Sequence, residues 1–224
     1  MHLTESNAIP QSVSRMLLDA GCIRFRSDEP FRLPSGWTSP VYIDCRRLIS
    51  YPASRRTLVR QGLELLRERE RLPGIDVIAG GESSGIAFAA WIADALDLPM
   101  VYVRKEARGI GPAAQVVGSI RPGDKVLLVD DMMAAGRTKA AYCEALSSAG
   151  AAVQDIFVLF EYGTFPTDAI LSKWNPGLHS LAKWTDILDE LERSREFSEN
   201  QFAELRDFLS DPPKWSSVHG GIFG

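Results

Sequence analysis

The chain has 224 residues, 45% of them hydrophobic and 24% charged, enough to bury the core of one large domain or of one domain with an appendage. A formal net charge of -4 supplies no basic face for nucleic acid, so an anionic ligand would have to be held by local clusters of cations. Cys22, Cys45 and Cys143 are odd in number and lack metal-type spacing, Met1-His2-Leu3-Thr4-Glu5 carries no basic-then-apolar signal, and no segment approaches the ~18 apolar residues of a membrane span. A soluble cytoplasmic protein with reduced thiols is expected.

Val13, Met16, Leu17 and Ala20 recur at helical spacing and Gly21 follows as a stop, which predicts a short amphipathic helix. From Ile23 to Asp44 the pattern turns strand-like, with Pro34-Ser35-Gly36 as the turn and Val41 and Ile43 alternating with Tyr42 and Asp44. This predicts a small antiparallel hood, in which Tyr42 taken alone reads more often as a structural aromatic. Ser54 to Arg71 carries Leu58, Leu65 and Leu66 among many charges and predicts a surface helix leading to a strand at Ile75–Ala79. Gly80-Gly81-Glu82-Ser83-Ser84-Gly85 then turns into a helix through Leu96. Backbone amides in such a turn suit pyrophosphate oxygens, although a plain tight turn has the same composition. Ile86 and Ala87 stand where a P-loop requires Lys and Ser or Thr.

The next strand, Pro99 to Val103, runs straight into Arg104-Lys105-Glu106-Ala107-Arg108. Three cations in five residues form a solvated face or, beside a sugar-phosphate site, a clamp for an anionic leaving group. Gly109 to Gln115 has glycine hinges and no core residues, which predicts a mobile loop before Val116-Val117. Gly109, Gly111 and Ala114 also satisfy a relaxed G-x-G-x-x-A pattern, with Asp130 near the spacing of its acid. A charged pentapeptide separates the strand from the first glycine, and Pro112, Gly118 and Pro122 leave no room for a crossover helix, so nicotinamide binding is set aside.

The stretch Lys125 to Thr138 holds four apolar residues, the acids Asp130 and Asp131, a small-residue loop and a helical start. A buried parallel strand that delivers carboxylates to a helix N-terminus is ligand-binding architecture: the helix amides and dipole suit a phosphate, and the acids suit donating hydroxyls such as those of ribose. The bland alternative is that both acids cap the helix. Ala141, Leu146 and Ala149 continue that helix to Gly150, and Val153 to Phe160 is another apolar strand. Strand-helix alternation from Ile75 to Phe160 predicts a parallel α/β sheet with ligands at the carboxyl ends of its strands. The remainder reads as helical, with Leu181, Trp184, Leu188 and Leu191 as one stripe and Phe202, Leu205, Phe208 and Leu209 as another.

Lys125 to Thr138 resembles the phosphoribosyl-pyrophosphate signature of the type I phosphoribosyltransferases. Arg104 to Gly109 and Phe31 to Asp44 look like the matching segments of orotate phosphoribosyltransferases, so that three motifs lie in family order. The resemblance implies the type I phosphoribosyltransferase fold, an α/β central parallel sheet flanked by helices, over residues 1–224 as a single domain. Its parts would be a hood at about 22–45, a core at about 54–165 and a C-terminal helical appendage at about 166–224. The implied reaction moves a phosphoribosyl group from 5-phosphoribosyl 1-pyrophosphate to orotate, with magnesium as cofactor and no direct protein ligand to the metal. By the same resemblance Asp130 and Asp131 hold the ribose hydroxyls, Ala134, Ala135, Gly136, Arg137 and Thr138 cradle the 5-phosphate, and Arg104, Lys105 and Arg108 neutralise pyrophosphate. Ser83 and Ser84 lie in a pyrophosphate loop that often holds a non-proline cis bond, Tyr42 lines the base wall, and Gly109 to Gln115 is a catalytic lid reaching across a homodimer.

Some positions depart from the family pattern. Ala134 and Arg137 replace hydroxyl residues, Arg108 replaces a lid Lys, Ile110 a His and Pro34 a Lys, and the loop after Phe160 lacks a base-contacting Arg. Another nucleobase as acceptor, or a regulator that senses phosphoribosyl pyrophosphate without turnover, are the alternatives these changes leave open.

Overall fold

The computed structural model describes residues 8–26, 28–33, 36–108, 115–165 and 167–222. The chain opens with helix α1 (Ala8–Asp19), which buries Val13 and Leu17 and is ended by Gly21 at φ +62°. The hood follows as two antiparallel pairs. Strand β1 (Ile23–Phe25) pairs with β4 (Val41–Ile43), and β2 (Phe31–Arg32) pairs with β3 (Thr38–Ser39). Gly36 takes φ +90° at the turn, a conformation that an L side chain rarely adopts; Pro34 and Ser35 of the expected turn lie outside the described residues.

Residues Tyr51–Lys183 form one compact unit. It comprises α2 (Pro52–Glu68), β5 (Val77–Gly81), α3 (Ser84–Leu96), β6 (Met100–Val103), β7 (Val116–Val117), β8 (Lys125–Met133), α4 (Arg137–Ser148), β9 (Ala152–Glu161), α5 (Thr167–Leu171) and β10 (Gly177–Lys183). The strands make one sheet in the order β10-β9-β8-β5-β6-β7, parallel throughout except for β7, which runs antiparallel to β6. Val126, Leu127, Leu128 and Val129 are fully buried, as expected of a central strand covered on both faces. Gly62 lets α2 lie close to that sheet, since a Cβ there would stand 2.5 Å from the Phe157 ring. Strands β6 and β7 pair through Tyr102↔Val117 and Val103↔Val116.

One expectation is corrected here. Leu181 belongs to a strand, not to a helical stripe: β10 pairs in parallel with β9 from Gly177↔Asp155 to Lys183↔Glu161. His179 and Leu181 are buried two residues apart, which is the strand period, and the helical stripe begins only at Trp184.

The second unit joins the N-terminal 50 residues with those from Trp184 onward. Here α6 (Trp184–Ser194) packs on α1 and buries Trp184, Ile187 and Leu191, and Arg15 Nη1 lies 2.6 Å from Glu196 Oε1. A capping box between Ser198 and Gln201 starts α7 (Glu199–Ser210), which buries Leu205 and Phe208. In α8 (Pro212–Val218) Trp215 packs edge-on against Phe208, with centroids 5.5 Å apart. Ser216 fastens the helix to the hood: its Oγ accepts the Thr38 N–H at 3.0 Å and its carbonyl accepts from Thr38 Oγ1 at 2.9 Å. Among the described residues no helix is long and apolar enough to cross a membrane.

Candidate active site

Strand β8 runs on through both acids to Met133, so Asp130 and Asp131 are adjacent strand residues. Both are buried. Asp130 Oδ2 lies 2.5 Å from the ammonium of Lys139, and its Oδ1 accepts the Asp131 N–H at 2.9 Å. Among the described residues Asp131 has no such counterion to itself. Burial pushes its carboxyl up to about 7, with the neighbouring Asp130 charge adding to the effect and Lys139 opposing it.

The capping alternative does not describe these acids, because Asp130 spends its oxygens on Lys139 and on the adjacent amide. Helix α4 opens on Gly136 at φ +87°, without a side-chain cap, and its first turn carries amides that have no partner within the helix. Conformation, not space, requires glycine there: a Cβ would meet its nearest neighbours at an ordinary 3.6 Å. Ala134 and Ala135 are half-buried, Arg137 and Thr138 are exposed, and the Tyr162 N–H donates to the Met133 carbonyl at 2.8 Å, tying the loop after β9 to this turn.

The second predicted turn is shorter than its glycines suggest. Gly80 and Gly81 complete β5 and Ser84 already begins α3, leaving Glu82 and Ser83, joined by a cis peptide bond, as the turn itself. Ser83 precedes α3 without capping it. The glycines serve close approach: a Cβ on Gly81 would lie 2.6 Å from the Tyr142 ring, and one on Gly85 would lie 2.3 Å from the Val129 carbonyl oxygen. Tyr142 Oη donates to the Glu82 carbonyl at 2.6 Å and so links α4 to the turn.

The basic segment meets the same turn. Glu82 Oε2 accepts the Lys105 N–H at 2.8 Å, and Glu82, Ser83, Lys105, Glu106 and Arg108 line a cavity of about 320 Å³. Arg104 extends the β6–β7 hairpin by donating its N–H to the Gln115 carbonyl at 2.8 Å, while Gln115 Nε2 donates to the carbonyls of Arg104 and Lys105 at 3.2 and 3.3 Å. The expected lid is anchored at both ends by these bonds; its residues Gly109 to Ala114, including Ile110, lie outside the described residues. Tyr42 belongs to the other unit, where it is half-buried in β4 and accepts from Arg46 Nη2 at 3.2 Å. Among the described residues no group of three or more His, Cys, Asp and Glu side chains gathers as a metal cage.

Two residues were missed by sequence reasoning, Lys139 and Tyr142. Lys139 did leave a signal. A cation in the first turn of a helix opposes the macrodipole, so its presence there calls for a partner elsewhere.

The model of the phosphoribosyl transferase domain matches residues 64–166. The orotate phosphoribosyltransferase of Jannaschia sp. (strain CCS1) is 42% identical over 208 residues, 92% of this chain and 91% of that protein. That of Cereibacter sphaeroides (strain ATCC 17029 / ATH 2.4.9) is 43% identical over 212 residues, 94% of this chain and 91% of that protein. Among solved structures, the orotate phosphoribosyltransferase of Aeropyrum pernix superposes with a TM-score of 0.69 at 30% identity, over 81% of this chain and 98% of that one. UMP synthase of Leishmania donovani superposes with a TM-score of 0.78 at 32% identity, over 91% of this chain but only 42% of that longer one.

Proposed function

The chain belongs to the orotate phosphoribosyltransferase family, and from that premise we infer that it transfers the phosphoribosyl group of 5-phosphoribosyl 1-pyrophosphate to orotate, forming orotidine 5'-monophosphate and pyrophosphate. The observation that carries the reading is the pair of buried acids on β8 followed directly by the uncapped start of α4. Hydroxyl acceptors and phosphate-binding amides stand there in the order in which a ribose 5-phosphate presents its groups.

Breaking the bond between C1 and the pyrophosphate oxygen leaves positive charge on the sugar and negative charge on the leaving group, so the protein's work is positioning and electrostatics. Asp130 and Asp131 receive the ribose hydroxyls, and the amides from Ala134 to Thr138 receive the 5-phosphate, with Arg137 adding positive charge where a hydroxyl residue is commoner. Ser83, Ser84, Arg104, Lys105 and Arg108 receive pyrophosphate; the cavity that gathers Ser83, Lys105 and Arg108 supports this assignment. Magnesium carried by the substrate rather than by a direct protein ligand would supply further neutralisation of the leaving group, which suits a site whose Asp130 is already engaged by an ammonium. A homodimer sharing the Gly109–Gln115 lid and a cytoplasmic location complete the reading, the latter supported by three buried free thiols.

The test is to mix pure protein with phosphoribosyl pyrophosphate, magnesium and orotate and to follow the loss of orotate absorbance. Turnover is expected. Tight donor binding without turnover would make the protein a sensor, and turnover with a different base alone would replace the acceptor.

A further inference from the structure

The Lys139 side chain is 8% exposed and that of Asp130 7%, so their 2.5 Å contact is a buried ion pair. An ammonium three residues into a helix is drawn to such a position only by a compensating charge, because the helix amides around it repel it and burial strips its water. Asp130 is enclosed on every side that faces α4 and α3. Lys139 and Tyr142 approach from α4, the Asp131 amide from β8, Gly81 from the end of β5 and Gly85 from the start of α3, where a Cβ on these glycines would come within 3.2 and 3.1 Å of its carboxylate oxygens. Tyr142 in turn holds the Glu82 carbonyl. One helix therefore fixes an acid of the proposed ribose site and the backbone of the proposed pyrophosphate turn together.

Two adjacent buried carboxylates repel each other, which favours a proton on one of them; that proton turns an acceptor into a donor and weakens its hold on a donating hydroxyl, and a nearby cation opposes the change. We propose that Lys139 is a positioning residue of the phosphoribosyl site, fixing the Asp130 carboxyl in place and offsetting the repulsion between the two acids, so that the pair is held ready to accept hydrogen bonds from the ribose. This rests on the functional reading above. Lys139 touches no reacting atom; it acts through Asp130 and, through the field of its charge, on Asp131.

The experiment is steady-state kinetics of Lys139→Met against wild type from pH 6 to 9, varying donor and orotate separately. The variant is expected to raise KM for the donor about tenfold at pH 7 while KM for orotate changes little, and to move the acidic limb of donor kcat/KM upward by about one pH unit. A purely structural lysine would lower the amount of folded enzyme and leave that limb in place. A folded Lys139→Met enzyme with the wild-type donor KM and the wild-type limb overturns the proposal. Should the Met variant not fold, Lys139→Gln, which keeps a hydrogen bond to Asp130 but no charge, is read by the same two outcomes. Absence of wild-type turnover in the same series would instead defeat the functional reading, so the two failures stay distinct.

Discussion

Asp131 illustrates at the residue scale how a site stores cost. Its carboxyl, ordinarily near 3.8, is raised to about 7 in the folded chain, chiefly by burial, so between those values the native state binds a proton that the unfolded chain has released. Stability contributed by the protonated form is complete below about pH 4 and is lost as the pH rises through about 7. Asp131→Asn removes that loss. It should melt higher than wild type at pH 8, by roughly 2–4 °C for each kcal/mol recovered, with the gap closing toward pH 4. The same variant should bind phosphoribosyl pyrophosphate more weakly, because an amide presents one acceptor oxygen where the carboxylate presents two. Thermal melts across the pH range and a donor titration check both halves; a wild-type melting temperature that climbs between pH 5 and 7 relative to the variant would contradict the first, and unchanged donor affinity the second. The acid pair itself is plain in the sequence, since two carboxylates ending an apolar run are conspicuous. Its counterion is not, because nothing in the spacing between Asp130 and Lys139 says that a strand and the first turn of the next helix fold one onto the other.

At the scale of elements, the turns proposed to bind phosphate are set by how closely helices approach strands. Gly85 is the sharpest case: its missing Cβ would stand 2.3 Å from a carbonyl oxygen and 2.9 Å from the Asp130 Cα, both backbone atoms that no side-chain rotation can move away. Gly85→Ala must push α3 off β8, and it should cost about 1–3 kcal/mol in chemical denaturation as overpacking does. It should weaken the donor as well, since the displaced helix carries Ser84. An alanine variant of wild-type stability would mean that α3 and β8 do not meet as described. The glycine-rich turn was visible in the sequence as a cluster, but glycine serves close approach and free φ alike, and only packing assigns Gly81 and Gly85 to the first and Gly136 to the second. Strand β10 escaped for a related reason. Seven residues give few repeats of a two-residue period, and Leu181 and Trp184 happen also to fit a three-residue step into the next helix.

At the scale of the whole molecule, a pairing that no local pattern reveals joins the two ends of the chain, for Thr38 and Ser216 are 178 positions apart. Chain number is equally invisible, and the proposed sharing of the lid makes it testable. Arg108 is exposed at the foot of the lid and lines a cavity beside Ser83 of its own chain, whereas the family resemblance sends the lid to the neighbour. In solution the protein should scatter light as twice its 24.7 kDa chain mass. Arg108→Gln and Asp131→Asn should each be nearly inactive, the former losing turnover more than ground-state donor binding if its charge acts on the departing pyrophosphate. Unfolding and refolding the two together gives mixed dimers in which, if the lid crosses over, one of the two sites combines an intact Asp131 with an intact Arg108. Random pairing makes half of the dimers mixed, so about a quarter of wild-type activity should return. If Arg108 serves its own chain, each site of a mixed dimer keeps one defect, and mixing returns nothing. The recovered fraction thus decides whether the basic segment completes its own pocket or the partner's.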